Sequence, residues 1–102
     1  MLRVEFHPKA RRELAEAAQW FNERSDNLGE ALLDEVDAAT ARLLIMPGMG
    51  SLIRHRRIPP GHRKWVLARF RYILVYRVVN QVLWVVAVAH TSRKPGYWAD
   101  RL

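Results

Sequence analysis

The chain contains no cysteine, which excludes disulfides, thiolate nucleophiles and cysteine-ligated zinc and suits a reducing compartment. Long apolar runs are missing as well. The longest, Val82 to Ala89, spans eight residues, against the roughly 18 to 20 that a membrane-spanning helix needs. No Gly-rich phosphate loop, Ser-centred elbow or paired-carboxylate arrangement is present, so nucleotide cradling, serine-hydrolase chemistry and two-carboxylate catalysis have no carrier. His7, His55 and His62 show neither His-x-x-x-His spacing nor a nearby carboxylate pattern, so no metal site and no cofactor are expected. The amino terminus shows no basic-then-apolar signal pattern; a soluble, cytoplasmic protein is the expectation. Acidic residues are the most unevenly absent, because Asp100 is the only one beyond Asp37.

What is present can fold. A length of 102 residues, half of them hydrophobic, with four Trp, three Tyr and three Phe, allows one core and leaves no room for a second domain of ordinary size. Residues 1–102 are read as a single domain. Residues 1–37 carry five Lys or Arg against nine Asp or Glu, and residues 38–102 carry twelve against one. A half so free of acid points to a polyanion or an acidic partner, since clustered cations raise the local concentration of phosphate or carboxylate ligands.

The apolar pattern orders the elements. Leu2 to Phe6 alternates apolar and charged residues, as a half-buried strand does. After His7-Pro8 the spacing turns helical through Ala10, Leu14, Ala17, Ala18 and Phe21, with Lys9, Arg12, Glu13, Glu16 and Glu23 for the wet side. Ser25-Asp26-Asn27 interrupts it, and Asn27 with Glu30 resembles a capping box opening a second helix on Leu32, Val36, Ala39, Leu43 and Met46. Pro47-Gly48 and Gly50 stop that helix. Leu52–Ile58, Lys64–Phe70, Tyr72–Val79 and Val82–Ala89 then read as strands, and their short links join antiparallel neighbours. The expected fold class is α+β: an N-terminal strand and a two-helix hairpin packed on one face of an antiparallel sheet, in the order β-α-α-β-β-β-β. On such a sheet Arg54 and Arg56 share a face of one strand, and Trp65, Leu67 and Arg69 a face of the next. An open face mixing Arg with aromatics suits nucleic acid, whereas for Trp65, Tyr72, Tyr76 and Trp84 taken singly the plain alternative is burial in the core.

Four segments carry a family likeness: Phe6-x-Pro8-x-Ala10-x-x-Glu13-Leu14, the pair Trp20-Phe21, Arg69-Phe70-x-Tyr72-x-Leu74-x-Tyr76, and Ala87-Val88-x-His90-x-x-Arg93-x-Pro95-x-Tyr97-Trp98. In this order they resemble the RelE/ParE superfamily of toxins from type II toxin-antitoxin systems. The resemblance implies a toxin held inactive by a cognate antitoxin encoded beside it, a role in plasmid stabilization, and one of two targets. RelE-like members are metal-free endoribonucleases that cut mRNA on the ribosome; ParE-like members poison DNA gyrase and need no catalytic set.

The residues weigh between the branches. Metal-free RNA cleavage needs a base, an acid and a cation for the developing phosphorane charge, and His90, Arg93, Tyr97 and Lys64 are the groups available. His90 alone has an ordinary pKa, about 6.5, near neutrality. RelE-like nucleases, however, place an Arg directly after the first Tyr of the Tyr-x-x-x-Tyr strand, and this chain has Ile73 there; of their basic pair on the preceding strand, Lys64 matches one position and Val66 occupies the other. Loss of one transition-state donor costs about 10²- to 10³-fold. The ParE-like reading is therefore preferred. It makes His90 a structural group at a strand end and Arg93, Tyr97, Trp98 and Arg101 the contacts to the target, with Arg54, Arg56, Arg63, Arg69 and Arg71 as a basic surface. A tail that folds back with Trp98 against the body is the compatible alternative. A decayed member that only binds its antitoxin is the third reading.

Overall fold

In the computed structural model, which describes residues 1–101, His7-Pro8 divides strand from helix. Strand β1 covers Arg3–Phe6 and helix α1 Pro8–Asn22, with His7 Nδ1 accepting the Lys9 N–H at 3.1 Å as its cap. Helix α2 spans Leu28–Ile45 and is followed by a short 3-10 turn, Pro47–Met49. The remaining strands are β2 (Ser51–Leu52), β3 (Arg63–Val66), β4 (Tyr72–Val79) and β5 (Val82–His90).

These strands form one sheet in the order β1-β5-β4-β3-β2. The expected meander is present, with β2, β3, β4 and β5 antiparallel in succession. The sheet is nevertheless mixed, because β1 runs parallel to β5, Arg3 opposite Val82 and Phe6 opposite Val85. The helix hairpin covers one face, where Ala10, Ala17, Leu32, Val36 and Leu43 meet Leu74, Tyr76, Leu83, Val85 and Val88. The other face is not open, contrary to expectation. Ile58 and Trp98, from the 53–62 loop and the C-terminal segment, close it over Val75, Val86 and Ala87.

Local expectations were corrected at four places. The strand expected at Leu52–Ile58 ends at Leu52, and residues 53–62 form a loop. Arg54, His55, Arg56 and Arg57 offer no apolar face to bury, and Pro59-Pro60 cannot donate to a ladder, so Arg54 and Arg56 do not share a strand face. The strand expected at Lys64–Phe70 ends at Val66, because Glu35 of α2 accepts the Ala68 N–H at 2.6 Å and the Arg69 N–H at 3.3 Å and holds 68–71 as a turn; Arg69 therefore leaves the face of Trp65. Asn27 precedes α2 in a left-handed conformation, φ 63°, and makes no side-chain cap. Asn22 replaces it, its Oδ1 accepting the Gly29 N–H at 2.7 Å and its amide reaching Glu30 at 3.3 Å. Met46, expected on the buried stripe, lies past the helix end and is 58% exposed.

One irregularity positions everything that follows. Between β4 and β5 the register shifts, Val75 pairing Ala87 but Tyr76 pairing Val85, so Val86 is an extra residue in β5. Strand side chains alternate faces, and a bulge inserts one step into that alternation. Val86 and Ala87 consequently both face the second cluster, while Val88 is returned to the helix side.

Candidate functional site: a cation-rimmed cleft and the clamp behind it

The bulge creates a demand for hydrogen bonds. β1 ends at Phe6, opposite Val85, and past that point backbone groups of β5 are served by side chains. The Val88 N–H donates to Glu13 Oε1 at 3.0 Å and the Val86 carbonyl accepts from Arg101 at 3.1 Å. Glu13 and Arg101 in turn form a bidentate pair, 2.9 Å at both contacts, and the Tyr97 hydroxyl donates to Glu13 Oε2 at 2.6 Å. Arg101 and Glu13 side chains are only 9% and 17% exposed. Glu13 is thus not the wet-side residue that its helix suggested. It sits three residues after Ala10 and four before Ala17, within the buried stripe of α1, and that spacing is the sequence signal for it.

Electrostatics follow the same geometry. Burial alone would raise the Glu13 carboxyl, but hydrogen bonds from Arg101, Tyr97 and the Val88 N–H hold it below its ordinary value. Burial and the bond to Glu13 push the Tyr97 phenol well above its own, which removes it as a proton-transfer group near neutrality. The bond to Glu13 likewise raises Arg101. Of the four residues proposed as target contacts, Trp98 is 3% exposed in the second core cluster, and Tyr97 and Arg101 are held in the clamp. Arg93 alone is exposed, with its guanidinium 3.9 Å over the Tyr97 ring. The tail folds back, as the alternative reading had it.

Pinning the tail builds a cleft of about 440 Å³ between the C-terminal segment and the sheet. Lys64, His90, Arg93 and Tyr97, the four groups considered for catalysis, all line it, as do Arg54 and Trp98. The other cations lie elsewhere. Arg63 folds onto the carbonyls of Gly50 and Gly48 at 2.7 and 3.3 Å. Arg56 lies across the loop in a second hollow shared with Lys94, and Arg69 and Arg71 are on the 68–71 turn, outside the cleft. Beneath the cations the cleft is lined by Leu52, Ile53, Ile58, Val66, Ile73 and Ala89. Site reasoning from residue types missed this aliphatic floor, although Ile73 and Val66 had already stood out as departures.

The histidines serve loops. His90 Nδ1 accepts the Ser92 N–H at 3.0 Å and lies 2.8 Å from the Ser92 hydroxyl, and its ring meets Tyr72 edge-on at 5.1 Å. His55 Nδ1 accepts the Arg57 N–H at 3.1 Å. Buried His62 donates to the Pro59 carbonyl at 3.0 Å beneath Trp98. No described helix is long and apolar enough to cross a membrane.

Fold and site together define a small α+β protein whose helix hairpin backs a sheet and whose C-terminal segment walls a cation-rimmed cleft. The same fold occurs in a chain of the chromosomal ParDE TA system from P. aeruginosa, with a TM-score of 0.62 and 16% identity over 88% of this chain and 96% of that one. The family model for the ParE toxin of the type II toxin-antitoxin system parDE matches residues 4–95. The chain therefore belongs to the ParE toxin family, within the RelE/ParE superfamily. No curated protein sequence is significantly similar to it.

Proposed function

We propose that the chain acts without catalysis, by binding and inhibiting DNA gyrase in the cytoplasm, and that a cognate antitoxin neutralises it. The observation that carries this reading is the floor of the cleft. A metal-free nuclease needs cations where phosphorane charge develops, and two positions at which the RelE-like pattern carries them hold Ile73 and Val66, both on this floor. Tyr97 adds to the case, because its hydroxyl is already committed to Glu13. One observation favours the ribosome-dependent endoribonuclease as second reading: His90, Arg93, Tyr97 and Lys64 do share one cleft.

Inducing the chain without an antitoxin separates the readings, combined with a supercoiling assay on purified gyrase. Expected are filamentous cells, DNA-damage signalling, and gyrase inhibited by the purified chain. Rapid loss of intact messages with unimpaired gyrase would overturn the proposal in favour of the nuclease, and His90→Ala with Arg93→Ala should then abolish the cuts. Unaffected growth with gyrase untouched would leave a chain that only binds its antitoxin.

A further inference from the structure

Exposed cations of the C-terminal half gather round two turns. Arg54, Arg56 and Arg57 stand on the 53–62 loop, Arg93 and Lys94 on the turn that follows β5, and all five are exposed. Arg56, Arg57 and Lys94 line a hollow of about 500 Å³. Arg54, Arg93 and Lys94 line the neighbouring cleft, and because His55 and Lys94 border both, the five cations form one patch. Among the described residues none of the five is paired with a carboxylate, since the ion pairs join Arg3 to Glu5, Arg24 to Glu23 and Arg101 to Glu13. The backbone beneath Arg56 and Arg57 is fixed. The Ile53 N–H donates to the His62 carbonyl at 2.9 Å across the neck of the loop, the Ile58 N–H donates to the His55 carbonyl at 3.0 Å, and Ile58 is buried in the second cluster. An anion arriving there has little loop ordering to offset.

The hollow beside Arg56 and Arg57 offers charge and little else. Ile58 on its wall is 7% exposed, so it lacks the apolar centre around which protein interfaces are built. Single-stranded nucleic acid is held by base stacking as well as by phosphate pairing. The Tyr97 ring on the same wall is already flanked by the guanidiniums of Arg93 at 3.9 Å and Arg101 at 5.1 Å. A duplex asks for less. It keeps its bases stacked inside and presents one negative charge about every 1.7 Å along its axis, which cations alone can hold.

We infer that the patch of Arg54, Arg56, Arg57, Arg93 and Lys94 binds duplex DNA through its phosphates, without regard to base sequence. Each cation that pairs with a phosphate releases a counterion, so the binding is steeply salt-dependent. Asp100, on the wall of the same hollow, opposes a phosphate there and is outnumbered by the cations around it. The inference goes beyond the target proposed above and does not rest on it, since it concerns a nucleic acid and since Arg56 and Arg57 lie outside the cleft.

Fluorescence anisotropy of the intact chain with a labelled duplex of about 20 base pairs tests it. With all five cations engaged, the logarithm of the binding constant should fall against the logarithm of NaCl concentration with a slope of about −4 to −5. A second duplex of unrelated sequence should bind within about 3-fold of the first. Arg56→Gln with Arg57→Gln should flatten the slope by about 2 and weaken binding about 10-fold or more at about 100 mM NaCl, and Lys94→Gln alone should flatten it by about 1. Lys9→Gln with Arg12→Gln removes the same charge from exposed positions on α1 and should leave the slope as it was, with melting temperatures checking that every variant folds. A duplex left unbound at about 50 mM NaCl overturns the inference. So does a slope that the loop variant leaves unchanged, a slope that the α1 variant flattens equally, or a single-stranded RNA of equal charge that binds tighter than the duplex. If gyrase is inhibited while the duplex is not bound, the inference falls and the target proposed above stands. If gyrase is untouched while the duplex is bound through Arg56 and Arg57, that target is wrong and the patch stands.

Discussion

Glu13 joins three parts of the chain that are far apart in sequence: α1, the bulged end of β5 through the Val88 N–H, and the C-terminal segment through Tyr97 and Arg101. Replacing it by Gln keeps the shape and removes the charge, leaving Arg101 nearly buried beside a neutral group. Breaking a buried pair in this way costs roughly 3 kcal/mol, and a loss of that order is expected for Glu13→Gln in urea melts at neutral pH. Because the folded carboxyl titrates below its ordinary value of 4.5, its contribution is complete above that value and fades as pH falls through the lower folded one. The gap between the two proteins should therefore be constant from pH 7 to about 5 and narrow below that. A gap that persists unchanged to pH of about 2 would show that the charge is not its source. Tyr76 is a second such residue, at the centre of the fold. Fully buried, it donates to the Pro47 carbonyl at 2.7 Å and accepts the Gly50 N–H at 2.9 Å. Tyr76→Phe should cost about 1–3 kcal/mol, read from the same melts, since it strands a buried N–H and a carbonyl. The second Tyr of the Tyr-x-x-x-Tyr pattern thus clasps the turn after α2.

At the scale of elements, periodicity revealed both helices, β4 and β5 almost residue for residue, because each buries its own apolar stripe and the signal is local. What stayed hidden was decided by partners distant in sequence. The 68–71 turn depends on a carboxylate in α2, and nothing in Lys64–Phe70 announces Glu35. The 53–62 loop folds onto the sheet by Ile58 and His62 beneath Trp98, contacts that alternation cannot register. The bulge at Val86 is silent for a different reason: every residue from Val82 to Ala89 is apolar, so a slip of one position leaves no mark in the pattern. Its consequence can be tested directly. Deleting Val86 restores plain alternation with Val85 and Val88 still on the helix side, but it removes the Val86 side chain from the second cluster and the Val86 carbonyl from Arg101. One lost Val burial is worth roughly 1.5–3 kcal/mol and the Arg101 N–H left without its carbonyl adds to it, so the deletion should destabilise by roughly 3 kcal/mol in urea melts. A deletion protein as stable as the parent would mean that the regular ladder makes good the lost burial and the lost Arg101 contact.

At the scale of the whole molecule, folding gathers a nearly acid-free half against a mildly acidic one without letting them cancel. The region from β2 through the C-terminal segment carries eleven of the seventeen Lys and Arg against one of the ten acidic residues, and within the described residues only three ion pairs form, two of them exposed. With a formal net charge of +7, the compact state is opposed by its own field. Added salt should relieve that field more than it weakens the attractive pairs, because the exposed pairs contribute little and the Glu13–Arg101 pair is shielded from solvent ions by burial. Raising NaCl from about 10 mM to about 200 mM shortens the screening length from roughly 30 Å to below roughly 10 Å, and the melting temperature of the free chain should rise by a few degrees. Scanning fluorimetry across that range of salt measures the slope. A free chain that melts lower as salt rises would show that attraction between the two halves, and not repulsion within one, governs the folded state.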